Sequence, residues 1–556
     1  MAIGPPVAGV AVLARTLPAR AEPSRQRPAR ARTIENSHVR RIPADVDPEG
    51  GLMAGGASWA RPKRRRAARP GRTRHGLRAG LALLVMLTLA GLGLLPTSLA
   101  AFSATTTGPA SSFTARATFG LTQTAGCFSN DGSGSCTAAT GIVNGKSAVV
   151  SPDGKHVYVG TVSDATNSGI AMFSRNATTG ALTQLASPNK CLSNGTVSGC
   201  TAASGLLNYV YDVAISPDGK HVYAPGYTSK TVAELSRDSS TGVLTPLASP
   251  NKCLYDSGAA SITGCTSARQ IDGAVGVAVS PDGANVYVTS YTSNSLTVFD
   301  RNSTTGVLTQ QAGTAGCITN ATVSGCTTGK GLSQPRYIAM SPDGTSLYVA
   351  SFASNAVAVF QRNTSTGALT QASSPNACLY DSGATAITGC TSAKGLSTAY
   401  GVTVAPDGRS VYVMALNGDT VAAFTRNTGT GVLTQLASPD ACLYLSGGTA
   451  VSACTSARAI NGPSSMTFSD DGLFAFVAGN SSNAVAAFRH DNSTGVLTQL
   501  SGTAGCIAVG GAGGCSTGLG LTNANSVLTS PDGRDVYAVG GVSGGNGWVA
   551  PLNLTH

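Results

Sequence analysis

The residues best suited to bind or transform a ligand stand at one fixed place in a sevenfold repeat. Each lies seven positions before an Asp that recurs at 153, 218, 282, 343, 407, 471 and 532. They are Lys146, Tyr211, Val275, Arg336, Tyr400, Ser464 and Asn525. Two cations, two phenols and an amide on one ring would suit a small anionic or sugar-like ligand. Arg336 offers a planar fork of donors to a carboxylate or phosphate, and with Lys146 it would polarise a carbonyl. The competing reading is that these side chains plug and solvate a channel.

Other chemistry is sparse. His156 and His221 occupy a place in the second strand that Asn285, Ser346, Ser410, Phe474 and Asp535 fill elsewhere, so they read as occupants of a tolerant strand start. His490 stands where Arg175, Arg237, Arg301, Arg362 and Arg426 stand in other repeats, and His556 is terminal. None reads as a general base, and the repeat Asp residues read as turn formers. A calcium ion in the pore would need oxygen ligands from several repeats. Asp212 and Asp272, with Asn208 and Asn461, are the candidates for that, and the pattern otherwise calls for no cofactor. There is no His-Glu-x-x-His and no Gly-rich phosphate loop.

The elements that position these residues are legible from the repeat. Copies read Ser-Pro-Asp-Gly-Lys-His-Val-Tyr-Val from Ser151 and Ser-Pro-Asp-Gly-Ala-Asn-Val-Tyr-Val from Ser280. In the third copy, Gly276 to Ser280 is a short apolar strand and Pro281-Asp282-Gly283 a tight turn. Val286 to Ser290, Ser295 to Asp300 and Val307 to Gln310 follow as further strands, the last after Asn302-Ser303-Thr304-Thr305-Gly306. Four strands and no amphipathic helix per repeat make a β-propeller blade. The fold class is therefore all-β, a seven-bladed propeller over residues 117–556. Its last copy ends without a Thr-Gly-x-Leu-Thr strand, which stands instead as Phe119-Gly120-Leu121-Thr122-Gln123. The N-terminal strand is thus expected to complete the last blade and leave no free sheet edge.

Charge separates the leader from the repeats. Residues 1–100 carry 17 Lys and Arg against 5 Asp and Glu; with 37 and 26 in the whole chain, 20 and 21 remain, a net charge of −1. A neutral folded part with no basic stripe excludes a nucleic-acid partner. Residues 1–76 read as a basic, Pro/Arg-rich disordered leader, with Met53 a plausible true start. Residues 77–101 read as a secretory signal cleaved after Ala100 or as an uncleaved membrane anchor, and 102–116 as a linker. Any membrane contact would run through this leader alone.

All fourteen cysteines fall in the repeats, as Cys127/Cys136, Cys191/Cys200, Cys253/Cys265, Cys317/Cys326, Cys378/Cys390, Cys442/Cys454 and Cys506/Cys515. Two fixed spacings in phase with the blades predict adjacent pairing, one disulfide per blade. This is the usage of an oxidising compartment. The expected location is secreted or cell-surface, and the expected state a monomer. The Cys loops link each outer strand to the next inner strand, so they cross one face. That connector face varies where the turn face repeats, and a site belongs at its channel mouth.

Ser-Pro-Asp-Gly-x-x-Val-Tyr-Val, an Asn/Ala-Val-x-x-Phe strand and Thr-Gly-x-Leu-Thr together resemble the seven-bladed propellers of the lactonase family. These are the 6-phosphogluconolactonase-like and Tyr-Val-Thr-Asn-repeat proteins, and Val286 to Ser290 is close to the latter signature. The resemblance spans about residues 117–556 and implies hydrolysis of sugar lactones, although its motif residues build turns and strands. The chain departs from a cytosolic sugar-phosphate lactonase by its export signal and its cystines, and no family catalytic residue carries over by position. Two readings follow. One is an exported module binding a small ligand, a carbohydrate or an extracellular protein. The alternative is an extracytoplasmic lactonase acting on sugar or acyl lactones at the channel mouth, through Arg336, Lys146, Tyr211 and Tyr400.

Overall fold

A computed structural model describes residues 120–123, 126–542 and 545–555. The readings of the leader, the signal or anchor and the linker lie outside the described residues. Among the described residues no helix is long and apolar enough to cross a membrane.

Seven six-stranded sheets form the ring, in agreement with the seven-bladed expectation. In the third blade the inner strand Ala274–Val279 pairs with Asn285–Ser290, which pairs with Ser295–Arg301. The outer edge of that third strand is shared. Its C-terminal half pairs with Leu308–Gln310 and its N-terminal half with Cys317–Thr319, to which Thr327–Thr328 adds in parallel. The four expected strands are therefore present, and the cystine loop contributes two more. The reason is geometric: the Leu-Thr-Gln strand is three residues long and leaves half the seven-residue edge unpaired. Consecutive inner strands pack side by side around the axis.

The last blade closes as expected. Gly120–Thr122 pairs with Gly547–Thr555 in register Leu121↔Leu554, and Phe128–Ser129 pairs with the same strand at Val549 and Trp548. Gln123 adds a side-chain clasp, accepting from Leu519 N at 2.6 Å and donating to Leu519 O at 3.1 Å. The same clasp joins Gln310 to Arg269 and Gln435 to Lys394, tying each Leu-Thr-Gln strand to the preceding connector.

All seven predicted disulfides are formed. They are Cys127–Cys136, Cys191–Cys200, Cys253–Cys265, Cys317–Cys326, Cys378–Cys390, Cys442–Cys454 and Cys506–Cys515, with Cα–Cα separations from 4.6 to 4.9 Å. Their surroundings correct the expectation of loops that merely cross the face. Cys136, Cys200, Cys265, Cys326, Cys390, Cys454 and Cys515 each stand one residue before a short strand that runs parallel to the strand of the first cysteine. Each bridge therefore staples two neighbouring edge strands of one sheet. The first cysteine of every pair is buried, whereas the second is half-buried except for Cys515, because the added strand is the outermost of its blade.

Between blades the apolar faces are joined by a buried polar link. Arg301 of the third blade donates to Tyr223 Oη (2.9 Å), Gly283 O (2.9 Å), both oxygens of Asp218 (3.1 and 3.0 Å) and contacts His221 Nδ1 (2.8 Å). Tyr223 in turn donates to Gly306 O of the third blade at 2.7 Å. Equivalent Arg–Asp pairs are Arg175–Asp532, Arg237–Asp153, Arg362–Asp282 and Arg426–Asp343. The first of these crosses from the seventh blade to the first, so the ring closes with the same link that builds it. Burial alone would raise the pKa of these carboxyls, but hydrogen bonds from the turn Ser and the Arg hold them below their ordinary value. The fifth–sixth seam carries His490 in place of Arg, against Tyr412 and Phe468. The sixth–seventh seam carries Leu554, inside an apolar cluster with Phe474 and Phe476.

Candidate functional site

The predicted ring of residues coincides with a backbone irregularity. In six blades the register between inner and second strand slips at the ring position: between Gly145 and Ser147, Ala274 and Gly276, Pro335 and Ile338, Ala399 and Gly401, Pro463 and Ser465, and Ala524 and Ser526. A bulge of this kind re-aims the extra residue's side chain. The second blade goes further. Only Ala214–Ile215 pair as its inner strand, leaving Tyr211, Asp212 and Val213 off the ladder.

All seven ring residues are buried, and three of the candidates meet. The Arg336 guanidinium carbon lies 6.0 Å from the Tyr211 ring centre and 5.5 Å from that of Tyr400. It sits 4.3 Å over Tyr291 and 5.7 Å from Phe352. Arg336 is 3% exposed, forms no ion pair among the described residues, and its Nε and Nη1 have no hydrogen-bond partner. The Tyr337 and Tyr400 rings are 5.4 Å apart, and their buried hydroxyls lie near one another without a well-formed hydrogen bond. Burial raises both phenols far above their ordinary range, so they remain donors.

The other candidates are differently engaged. Asn525 accepts from Asn480 Nδ2 (3.0 Å) and donates to Gly145 O (2.8 Å), while Ser464 donates to Asn525 O (2.9 Å), so these two residues link blades. Lys146 is buried at the bulge of the first blade, and Val275 joins the aromatic cluster. Asp272 is paired with Lys230 at 2.8 Å. Asp212 accepts from Ser147 Oγ (2.8 Å), Val213 N (2.9 Å) and Val277 N (3.1 Å), bridging the first three blades. Burial pushes its carboxyl up to about 7 against these hydrogen bonds. Among the described residues no group of three His, Cys, Asp or Glu side chains is placed to hold a metal. The cysteines stand on the outer strands of the sheets, away from the ring, and among the described residues none is a free thiol. Their part is structural.

Two patterns escaped the sequence reading. His156 and His221 are not in a tolerant position: with Asn285, Ser346 and Asp535 they contact the interblade Arg. A second ring stands nine positions after each repeat Asp, where the second strand turns back on the connector side: Val162, Tyr227, Tyr291, Phe352, Leu416, Asn480 and Gly541. Its phase with the repeat was available as a signal. What was missing was the knowledge that strand starts and strand ends of different layers meet at one mouth.

Residues 258–379 match the family described as Lactonase, 7-bladed beta-propeller. No curated protein matches the chain. Among solved structures, the periplasmic gluconolactonase of Pseudomonas aeruginosa is 17% identical, with 65% of this chain and 85% of that one covered and a TM-score of 0.44. A Bacteroides uniformis protein provisionally assigned as a 6-phosphogluconolactonase is 18% identical over 63% of this chain and 82% of that one, at 0.43. The Kuenenia stuttgartiensis hydrazine synthase is 16% identical over 75% and 97%, at 0.41. These likenesses carry no assignment of chemistry. By its own blades and its matched segment, the chain is a disulfide-stapled seven-bladed β-propeller similar to the lactonase family.

Proposed function

We propose that this protein is a lactone hydrolase working outside the cytoplasm, with its substrate at the connector-side channel mouth. The observation that carries the reading is Arg336, a buried cation with two N–H groups lacking partners in an aromatic setting. An uncompensated buried charge is costly unless a ligand pairs with it. A donor in that state is preorganised for the oxyanion that develops when water attacks a lactone carbonyl. Asp212, whose carboxyl burial pushes up to about 7 and whose charge acts on the nearby Tyr337 phenol, is the group we assign to take the water's proton, which requires it to give up one of its hydrogen bonds from Ser147, Val213 and Val277. The matched family segment includes Arg336 and Tyr337 and supports the same reading. Seven disulfides fit an oxidising compartment.

The test is turnover of a panel of aldono- and acyl-lactones by the oxidised protein, with and without calcium. Arg336→Lys, which keeps the charge and loses the fork, should lower kcat/KM by about a hundredfold. Asp212→Asn should abolish the rise in rate on passing through neutral pH. A folded protein, verified by circular dichroism, that turns over no lactone in the panel would sink the hydrolase reading and restore that of a binding module.

A further inference from the structure

The repeats hold eight Asn-x-Ser/Thr triplets, the acceptor pattern for an N-linked glycan, and the structure sorts them. Five are engaged elsewhere. Asn480 is buried and donates to Asn525, while Asn553 donates to Asp535 (3.2 Å) and Asn492 to Asp471 O (3.4 Å). Asn194 donates to Ala165 O at 2.6 Å and accepts from Leu207 N at 3.2 Å. Asn320 lies inside the Cys317–Cys326 loop and accepts from Leu332 N, and the hydroxyl of its triplet, on Thr322, accepts from Thr328.

Asn176, Asn302 and Asn363 remain, and they stand at one place: the first residue of the exposed turn between the third and fourth strands of the first, third and fourth blades. Each engages only its Oδ1, which accepts from the N–H groups two and three residues on. The distances are 2.9 and 3.1 Å for Asn176, 3.0 and 3.0 Å for Asn302, and 2.9 and 3.1 Å for Asn363. Among the described residues their Nδ2 groups have no hydrogen-bond partner, and neither do the hydroxyls of Thr178, Thr304 and Ser365 that complete the triplets. The turn itself does not call for an amide, because Asp238 and Asp491 build it in the second and sixth blades with the same two acceptor bonds. Each Nδ2 is therefore surplus to the fold and left at the surface.

We infer that Asn176, Asn302 and Asn363 are acceptor sites for an N-linked glycan, transferred outside the cytoplasm from a polyprenyl diphosphate oligosaccharide. Nδ2 attacks the anomeric carbon of the donor and the bond from that carbon to the diphosphate oxygen breaks. The lipid diphosphate leaves with the electron pair, and one Nδ2 proton passes to a base of the transferase. The Thr-Gly turns share the face of the Pro-Asp-Gly turns, where Tyr223 donates to Gly306 O and Gly306 abuts His221. Glycans there stand on the face opposite the connector-side mouth and leave it open. The inference is independent of the hydrolase reading and shares with it only the location outside the cytoplasm.

The test is incubation of the folded, oxidised full-length chain with a purified single-subunit oligosaccharyltransferase and a polyprenyl diphosphate oligosaccharide, read by intact-mass and glycopeptide mass spectrometry. Glycan is expected on Asn176, Asn302 and Asn363 of the folded chain. It should be absent from Asn194, Asn320, Asn480, Asn492 and Asn553, which only the reduced, unfolded chain makes available. Asn302→Asp keeps the acceptor oxygen of the turn, so it should lose one glycan mass with the circular dichroism unchanged. Thr304→Ser should retain that glycan where Thr304→Val loses it. In the fifth blade Asn427 makes the same turn but Gly429 stands where the hydroxyl is needed, so Gly429→Thr should add a glycan there. A folded chain that takes no glycan at the three sites, that takes it equally at Asn194 or Asn492, or that carries sugar on Thr304 in place of Asn302 would in each case overturn the inference.

Discussion

Replacing Arg301 by Met should loosen one seam of the ring and leave the others intact. The side chain is almost wholly buried, and its removal strips partners from Gly283 O and His221 Nδ1 inside the seam. Each buried group left without a partner costs roughly 1–3 kcal/mol. Tyr223 keeps its bond to Gly306 O. Asp218 has about a third of its side chain in solvent and retains Ser216 and Lys220 N, so its lost ion pair adds little. Two costly losses and one minor one give about 3 kcal/mol. The assay is urea denaturation of oxidised protein, with hydrogen exchange to locate the change between the second and third blades. A loss under about 1 kcal/mol, or exchange rising equally at all seams, would refute the idea that the Arg–Asp–Tyr link holds neighbouring blades. The mirror experiment is His490→Arg: Asp407, Ser410 and Tyr412 stand there as the partners do elsewhere, and a stabilisation of about 1 kcal/mol is expected from the same denaturation curve.

Two further outcomes follow from buried groups. Glu234 lies in the core of the second blade with Leu308 N as its hydrogen-bond donor, and burial pushes its carboxyl up to about 8. The folded state therefore keeps a proton that the unfolded chain releases near its ordinary value. This contribution to stability is full at low pH, falls as pH rises through the range up to about 8, and is then flat. Glu234→Gln should flatten the urea midpoint between about pH 5 and 9, and an unchanged slope would count against the assignment. Gly306 has a φ of +80°, and a Cβ there would run into the His221 ring at Cδ2. Gly306→Ala should cost about 2 kcal/mol or more in the same assay, and a neutral result would mean that the turn and the seam are softer than drawn.

How much was legible in the sequence differs between fold and site. Local chemistry written seven times determined the blade: Pro-Asp-Gly and Thr-Gly turns separate short apolar strands, and a displaced Leu-Thr strand at the start announces how the ring closes. Cysteine spacing in phase with the blades determined the disulfides for the same reason, since partners twelve residues apart or fewer need no knowledge of the fold. That Cys265 or Cys326 leads into an added edge strand was not legible, because the strand exists only where a short neighbour leaves an edge open. The ring containing Tyr211, Arg336 and Tyr400 was also legible, because equal phase in a repeat means an equal place around the axis. Long-range packing decided the rest. That Arg301 answers Asp218 some eighty residues away, that Asn525 is spent between blades, and that Tyr291 lies over Arg336 depend on which strand ends meet after the ring has closed. The repeat fixes each residue's position within its blade, whereas contacts between blades arise from the twist and stacking of whole sheets, and no single blade encodes them.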